Sequence, residues 1–151
     1  MAPRVPIRTA TAGDIAIMFE MERQASGVSH WTMDDYRRIF DAESPIRFAL
    51  IAGDDPPAGF LVARTLGPDW EIENLAVAPQ AQRFGVGRAL VAELLQRASN
   101  AGAASVMLEV RDSNQPARAL YESSGFQAVA RRMAYYHDPP EDAVIYRITP
   151  D

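Results

Sequence analysis

The chain has 151 residues, 48% hydrophobic and 23% charged, with a net charge of −5, the make-up of one ordinary globular domain with a real core. It holds no cysteine, which excludes disulfides, thiolate metal sites and a cysteine-linked acyl-enzyme. The negative charge disfavours non-specific nucleic-acid binding and suits a cationic partner; with no membrane-length apolar run and no secretory leader in view, no membrane association and a cytoplasmic location are expected.

Taken in order, Arg4 to Ala10 alternates enough to predict a first strand. Thr11-Ala12-Gly13-Asp14 has the spelling of a helix start, with an N-cap threonine and an acid three positions on. The helix runs to about Ala25, and Ser26-Gly27-Val28-Ser29 breaks it. Thr32-Met33-Asp34-Asp35 repeats the capping pattern and opens a shorter helix through Tyr36, Ile39 and Phe40. Ile46 to Ala52 and Ala58 to Leu66 read as a hairpin about the turn Gly53-Asp54-Asp55-Pro56-Pro57. Gly67-Pro68-Asp69 turns again into a strand at Trp70 to Val77, and the pairing so far is antiparallel.

Next comes Gln82-Arg83-Phe84-Gly85-Val86-Gly87-Arg88, followed by Leu90, Leu94 and Ala98 at helical spacing. A glycine-rich turn feeding a helix start directs unpaired N–H groups at one spot, where the helix dipole favours an anion. Arg83 and Arg88 add positive charge, so a phosphate or pyrophosphate is the expected ligand. Ala101-Gly102 ends the helix. Val106 to Val110 is then a strand parallel to Trp70–Val77, because a helix connects them. Pro116 suits the first turn of a short helix ending at Gly125, and Phe126 to Met133 with Ala143 to Ile148 forms a last hairpin about His137-Asp138-Pro139-Pro140. The order predicts an α/β chain with a mixed, mostly antiparallel sheet flanked by helices.

The loop lacks the Gly-Lys-Ser/Thr of a Walker sequence, and Leu90 stands where a dinucleotide fingerprint has its third glycine. Its spelling, Gln-x-x-Gly-x-Gly, resembles the pyrophosphate loop of the GNAT superfamily of acyl-CoA N-acyltransferases. Asn74-Leu75-Ala76-Val77-Ala78-Pro79, Leu108-Glu109-Val110-Arg111, Ser113-Asn114 and Ala119-Leu120-Tyr121-Glu122-Ser123-Ser124-Gly125-Phe126 extend the likeness in the right order. It implies a sheet splayed between the fourth and fifth strands, acetyl-CoA as the cofactor, and no metal.

By this resemblance Gln82 to Arg88 (Gln82, Arg83, Phe84, Gly85, Val86, Gly87 and Arg88) hold the pyrophosphate. The backbone of Leu75, Ala76 and Val77 holds the pantetheine arm and the acetyl carbonyl. Asn114, with Ala117 and Tyr121 after it, belongs to the same cofactor site. Gly87 is expected to be glycine so that backbone can approach the pyrophosphate. Tyr121 is the expected acid for the departing thiolate, as a phenol near pKa ~10 is protonated at working pH. The candidate bases are Glu109, expected to face the Tyr121 hydroxyl, and the pair Glu71 and Glu73, which share a face of the fourth strand. The stretch Leu-Glu-Val-Arg with a tyrosine twelve positions after its glutamate is similar to the RimI group of protein-alanine N-acetyltransferases, in which Glu109 would be the base. Trp31 and Tyr135 join Glu71 and Glu73 as expected acceptor contacts. Departures from that group fall in the last hairpin, at Ala134 and in the short loop after Tyr136. The acceptor therefore stays open between a protein N-terminus, such as that of a ribosomal protein, and a small amine. A catalytically silent acyl-CoA-binding module is the reading from another class. His30 and His137 have no metal-ligand spacing and are read as packing or surface residues.

Overall fold

Residues 5–25, 31–41, 46–137 and 139–151 are described by a computed structural model of the chain. The first strand is shorter than its alternation suggests: β1 is Ile7–Thr9. A turn of 3-10 helix, Ala12–Asp14, then leads into α1, Ile15–Gln24, and the Thr11 N–H donates to Asp14 at 2.8 Å as the capping pattern requires. Helix α2, Met33–Arg38, opens on a complete capping box, in which Asp35 N donates to Thr32 Oγ1 at 3.1 Å and Thr32 N to Asp35 Oδ2 at 2.8 Å. The exchange occupies donors that a helix start leaves unpaired. Arg4, the break at 26–29 and His30 lie outside the described residues.

Strands β2 (Arg47–Ala52), β3 (Gly59–Leu66) and β4 (Asp69–Val77) pair antiparallel in sequence. Helix α3, Val86–Asn100, crosses to β5, Ser105–Arg111, and α4, Gln115–Ser123, leads to the hairpin of β6 (Gln127–His137) and β7 (Pro140–Ile148). All seven strands form one sheet in the order β1-β2-β3-β4-β5-β7-β6, and β4–β5 is its parallel pair. The last hairpin is longer than expected. Its ladder continues through Tyr136↔Glu141 and His137↔Pro140 after a bulge that hides the alternation between Arg132 and Tyr136.

Two features of β4 position the site. Its pairing with β5 covers only Asp69↔Ser105 to Glu71↔Met107, although β4 runs on to Val77 and β5 to Arg111. The sheet therefore opens as a gap between the two strands, as the resemblance implies. The register with β3 also shifts, from Ala63↔Ile72 to Val62↔Asn74, so Glu73 is an extra residue. A bulge inverts the alternation after it. Ile72 accordingly packs in the core beneath α3 and α4, whereas Ala76 packs with α1 and α2.

The centre of the sheet is buried on both faces, while β6 at its edge is exposed. Leu50, Leu61, Val106 and Leu108 meet Leu90, Val91 and Leu94 of α3 on one side, and Ile51, Phe60 and Val62 meet Met18, Met21 and Tyr36 on the other. Gly59 is required at the crossing of β3, β4 and α3. A Cβ there would lie 2.9 Å from Ala76 O and 2.9 Å from Val86 Cγ1.

Candidate active site

The loop has the geometry of an anion site. Arg83 and Gly85 both adopt positive φ, 73° and 80°. This turns the chain so that α3 starts with Gly85 as its N-cap, and the first helical bond runs from Ala89 N to Gly85 O at 3.0 Å. The N–H groups of Val86, Gly87 and Arg88 precede that bond, at the positive end of the helix dipole. A left-handed arginine costs about 1 kcal/mol, and such strain is commonest at ligand sites. Phe84 is 77% exposed beside it. Arg88 donates to Ser123 Oγ of α4 at 3.1 Å, and Gln82 Nε2 donates to Val77 O at 3.2 Å, which ties the loop to the end of β4. Gly87 has a further reason to be glycine. A Cβ would lie 3.2 Å from Leu120 Cδ2, so the close approach is first to α4.

Leu75, Ala76 and Val77 occupy the part of β4 beyond its β5 pairing, paired with β3 at Leu61, Phe60 and Gly59. Across the gap, Asn114 caps α4 by accepting from Ala117 N at 3.2 Å. Tyr121 is placed by the other end of that helix. Gly125, at φ 102°, closes a Schellman turn with Phe126 N donating to Tyr121 O at 3.0 Å and Gly125 N to Glu122 O at 3.1 Å. The hydrophobic contact of that motif is the edge-on packing of the Phe126 ring on Tyr121, centroids 5.6 Å apart. Tyr121 is 7% exposed, and burial pushes its phenol well above its ordinary pKa with no charged neighbour contributing. It stays protonated across the working pH range.

Glu109 does not face Tyr121 across a common surface. Val106, Leu108 and Val110 of β5 enter the core beneath α3 and α4, where Tyr121 also lies. Glu109 alternates with them, so it projects toward the α1 and α2 side. The two groups flank the gap from opposite faces of the sheet. Glu109 meets Arg132 Nη2 of β6 at 3.3 Å, and that guanidinium lies 5.2 Å from the centroid of the Tyr135 ring. Tyr135 packs edge-on against Tyr136 at 5.2 Å, and Arg111 stacks over Tyr136 at 4.2 Å. The bulged hairpin thus brings aromatic and charged side chains beside Glu109. Ala134 carries the turn at φ 50°, its N–H donating to Asp142 at 2.8 Å.

Glu71 and Glu73 do share a face, and arginines meet them there. Arg47 Nε lies 2.8 Å from Glu73, while Arg64 lies 3.2 Å from Glu71 and 3.6 Å from Glu73. Attraction of a cationic amine is therefore offset at this pair. Trp31 packs its ring on Tyr36 at 5.2 Å, beside α1 and β4. His137 is exposed at the end of β6. Among the described residues no cluster of His, Asp and Glu has a metal-binding arrangement. A depression lined by Thr9, Ala10, Ile39, Phe40, Arg47 and Phe48 includes the arginine paired with Glu73 but neither Glu109, Tyr121 nor any residue of the loop.

The profile of the acetyltransferase (GNAT) family matches residues 15–126, which include the loop, both edges of the gap, Glu109 and Tyr121. The chain belongs to the GNAT family. It is an acetyl-CoA-dependent N-acetyltransferase, and the open loop and the unpaired edge of β4 fit that cofactor. Among relatives, the ribosomal protein bS18-alanine N-acetyltransferase of Haemophilus influenzae is 32% identical over 137 residues, covering 89% of this chain and 91% of that protein. The Escherichia coli enzyme of the same name is 42% identical over 90 residues, which span 58% of this chain and 61% of that protein. The crystal structure of the ribosomal-protein-S18-alanine N-acetyltransferase from Escherichia coli superimposes with a TM-score of 0.85 at 31% identity, over 98% of this chain and 95% of that one. Arabidopsis thaliana NAA60 in complex with acetyl-CoA shares the GNAT fold, with a TM-score of 0.83 at 16% identity, over 97% of this chain and 98% of that one.

Two parts of this arrangement escaped the sequence reading. The buried acid Glu22 and the bulge at Glu73 carry no local signal. One is a single helix residue among several charges, and the other is a register shift that only pairing with β3 defines.

Proposed function

We propose that this acetyltransferase modifies the N-terminal α-amine of a protein in the cytoplasm. Glu109 acts as base, Tyr121 as acid, and the whole chain as one catalytic domain. The observation that carries the reading is the disposition of Glu109 and Tyr121 on opposite sides of one gap. An anionic acceptor of protons lies beside the aromatic hairpin, and a buried, charge-free phenol lies beneath α4. The names of the relatives, which acetylate an alanine of ribosomal protein bS18, support a peptide N-terminus over a small amine.

Acetyl-CoA supplies the acetyl group as an activated thioester. The α3 N–H groups with Arg83 and Arg88 hold its pyrophosphate, and the β4 edge at Leu75 to Val77 with Asn114 and Ala117 aligns its arm. Glu109 takes a proton from the incoming ammonium, directly or through one water. An α-amine has a pKa near ~7.7–8.0, so a single carboxylate suffices, whereas a lysine near ~10.4 would need more assistance. Tyr121 delivers its proton to the sulfur side of the gap. The hairpin residues Tyr135 and Arg132, with Trp31 opposite, border the acceptor's path.

The test is acetyl-CoA turnover against alanine-initiated peptides, polyamines and amino acids, with the modified nitrogen located by mass spectrometry. The fifteen Lys and Arg residues of the chain are all arginine, so an acetyl-lysine belongs to the acceptor. Acetylation at a peptide α-nitrogen is expected. Turnover confined to polyamines or amino acids overturns the peptide reading.

A further inference from the structure

Glu22 of α1 is a buried carboxylate, 4% exposed, that none of the chemistry above uses. Its described partners are all neutral donors. Trp31 N donates to both oxygens at 3.2 and 3.1 Å, and Asn74 Nδ2 donates to Oε1 at 2.9 Å. The Asn74 amide also donates to the Tyr36 hydroxyl at 3.2 Å. Each group is used in a sense its chemistry permits: the carboxylate accepts, the amide donates twice, and the phenol oxygen accepts.

The network joins four places. Glu22 lies in α1, Tyr36 in α2, Trp31 where the backbone enters α2, and Asn74 in β4. Asn74 reaches Glu22 because the extra residue Glu73 turns it to the α1 and α2 side. It is 5% exposed and directly precedes Leu75, in the part of β4 that borders the gap. A carboxylate satisfied only by neutral donors in a buried place costs desolvation that a hydrophobic residue would not. Shape alone does not call for it.

We propose that Glu22 and Asn74 are positioning residues for the acceptor, locking the Trp31 backbone to the β4 bulge beside the gap. The inference rests on the peptide-acceptor reading above. The side chains of this network lie on the α1 and α2 face of the sheet, opposite the face covered by α3 and α4, and they meet the gap through Asn74 of β4. Its loss should therefore fall on acceptor affinity more than on cofactor affinity.

Glu22→Gln is the informative change, since it keeps the shape and turns one acceptor into an NH₂ group facing donors. The exchange variant, Glu22→Gln with Asn74→Asp, restores complementarity. Its amide at position 22 accepts from Trp31 N and donates to the carboxylate at position 74, which in turn accepts from Tyr36. The measurements are kcat and KM for an alanine-initiated peptide, CoA affinity by calorimetry, and folding by circular dichroism. Glu22→Gln is expected to raise peptide KM about 10-fold, the scale of one hydrogen bond to a charged group, with kcat and CoA affinity within about twofold. The exchange variant should recover most of that loss, while Asn74→Asp alone, which sets two carboxylates together, should be the worst of the three. An unchanged KM in folded Glu22→Gln, or a parallel fall in kcat and CoA affinity, overturns the proposal. Should Glu22→Gln fail to fold, the exchange variant decides: wild-type KM upholds the network's role, and failure to fold reduces it to core packing. Absence of peptide turnover in the wild type instead overturns the acceptor reading, and this inference with it.

Discussion

Tyr121 and Glu109 carry the sharpest tests at the scale of single residues. Tyr121→Phe removes one hydroxyl and leaves the ring contacts with Phe126 and Tyr146 in place. Stability and CoA affinity should hold, while kcat falls by roughly 10² to 10⁴, the range for a general acid. Turnover within a few-fold of wild type would show that solvent supplies the proton. Glu109→Gln should lower kcat with little effect on CoA affinity, and higher pH should partly restore the rate because the neutral amine fraction grows. Glu73→Gln belongs to a different class. It leaves Arg47 and Arg64 facing an amide in a largely buried place, so about 1–3 kcal/mol of stability should be lost. Denaturant melts and kinetics on the two variants separate these roles. A large kcat loss in Glu73→Gln at unchanged stability would move the base to β4.

Within elements, the loop and the first helical turn allow binding to be separated from folding. Gly87→Val presses on Leu120, so it should lower melting temperature and CoA affinity together. Arg83→Gly acts differently. It relieves a left-handed φ of 73° and removes a cation, so stability should stay within about 1 kcal/mol while CoA affinity drops. Calorimetric titration beside a thermal melt reads both; unchanged CoA affinity would remove Arg83 from the pyrophosphate site. The turn before α1 sets a pH dependence. Its hydrogen bonds with the Arg8 guanidinium, and then the Thr11 N–H, hold the Asp14 carboxyl down at about 2 against the opposing effect of burial. A folded-state pKa below the unfolded one contributes stability that is complete above pH ~4 and lost as pH falls toward 2. Asp14→Asn should cost about 1–2 kcal/mol at pH 6, and that deficit should shrink below pH 3 in melts run at both. A constant deficit would assign the effect to shape alone.

For the whole molecule the open seam between β4 and β5 makes stability depend on the cofactor. CoA at a hundred times its Kd should stabilise the fold by about 2.7 kcal/mol, or roughly 5–10 °C in a chain of this size. Hydrogen exchange should slow at 72–77 and 83–88. Protection confined to the depression near Phe40 and Phe48 would place the ligand elsewhere. Much of this architecture was legible in the chain itself, because the signals concerned are local. Capping at Thr11 and Thr32, the glycine stop at Gly102, the Gln-x-x-Gly-x-Gly turn and the helix-linked parallel pair each follow from neighbours within a few positions. The family, the fold and the cofactor were decided at that level. What only the tertiary structure decided depends on pairing across the sheet. The bulge at Glu73 aims Asn74 at Glu22, β5 sets Glu109 and Tyr121 on opposite faces, and Arg47 and Arg64 meet the Glu71–Glu73 pair. None of these is readable from spacing, since a one-residue shift in register reverses which face a side chain occupies, and that register is fixed by a partner strand rather than by adjacent residues.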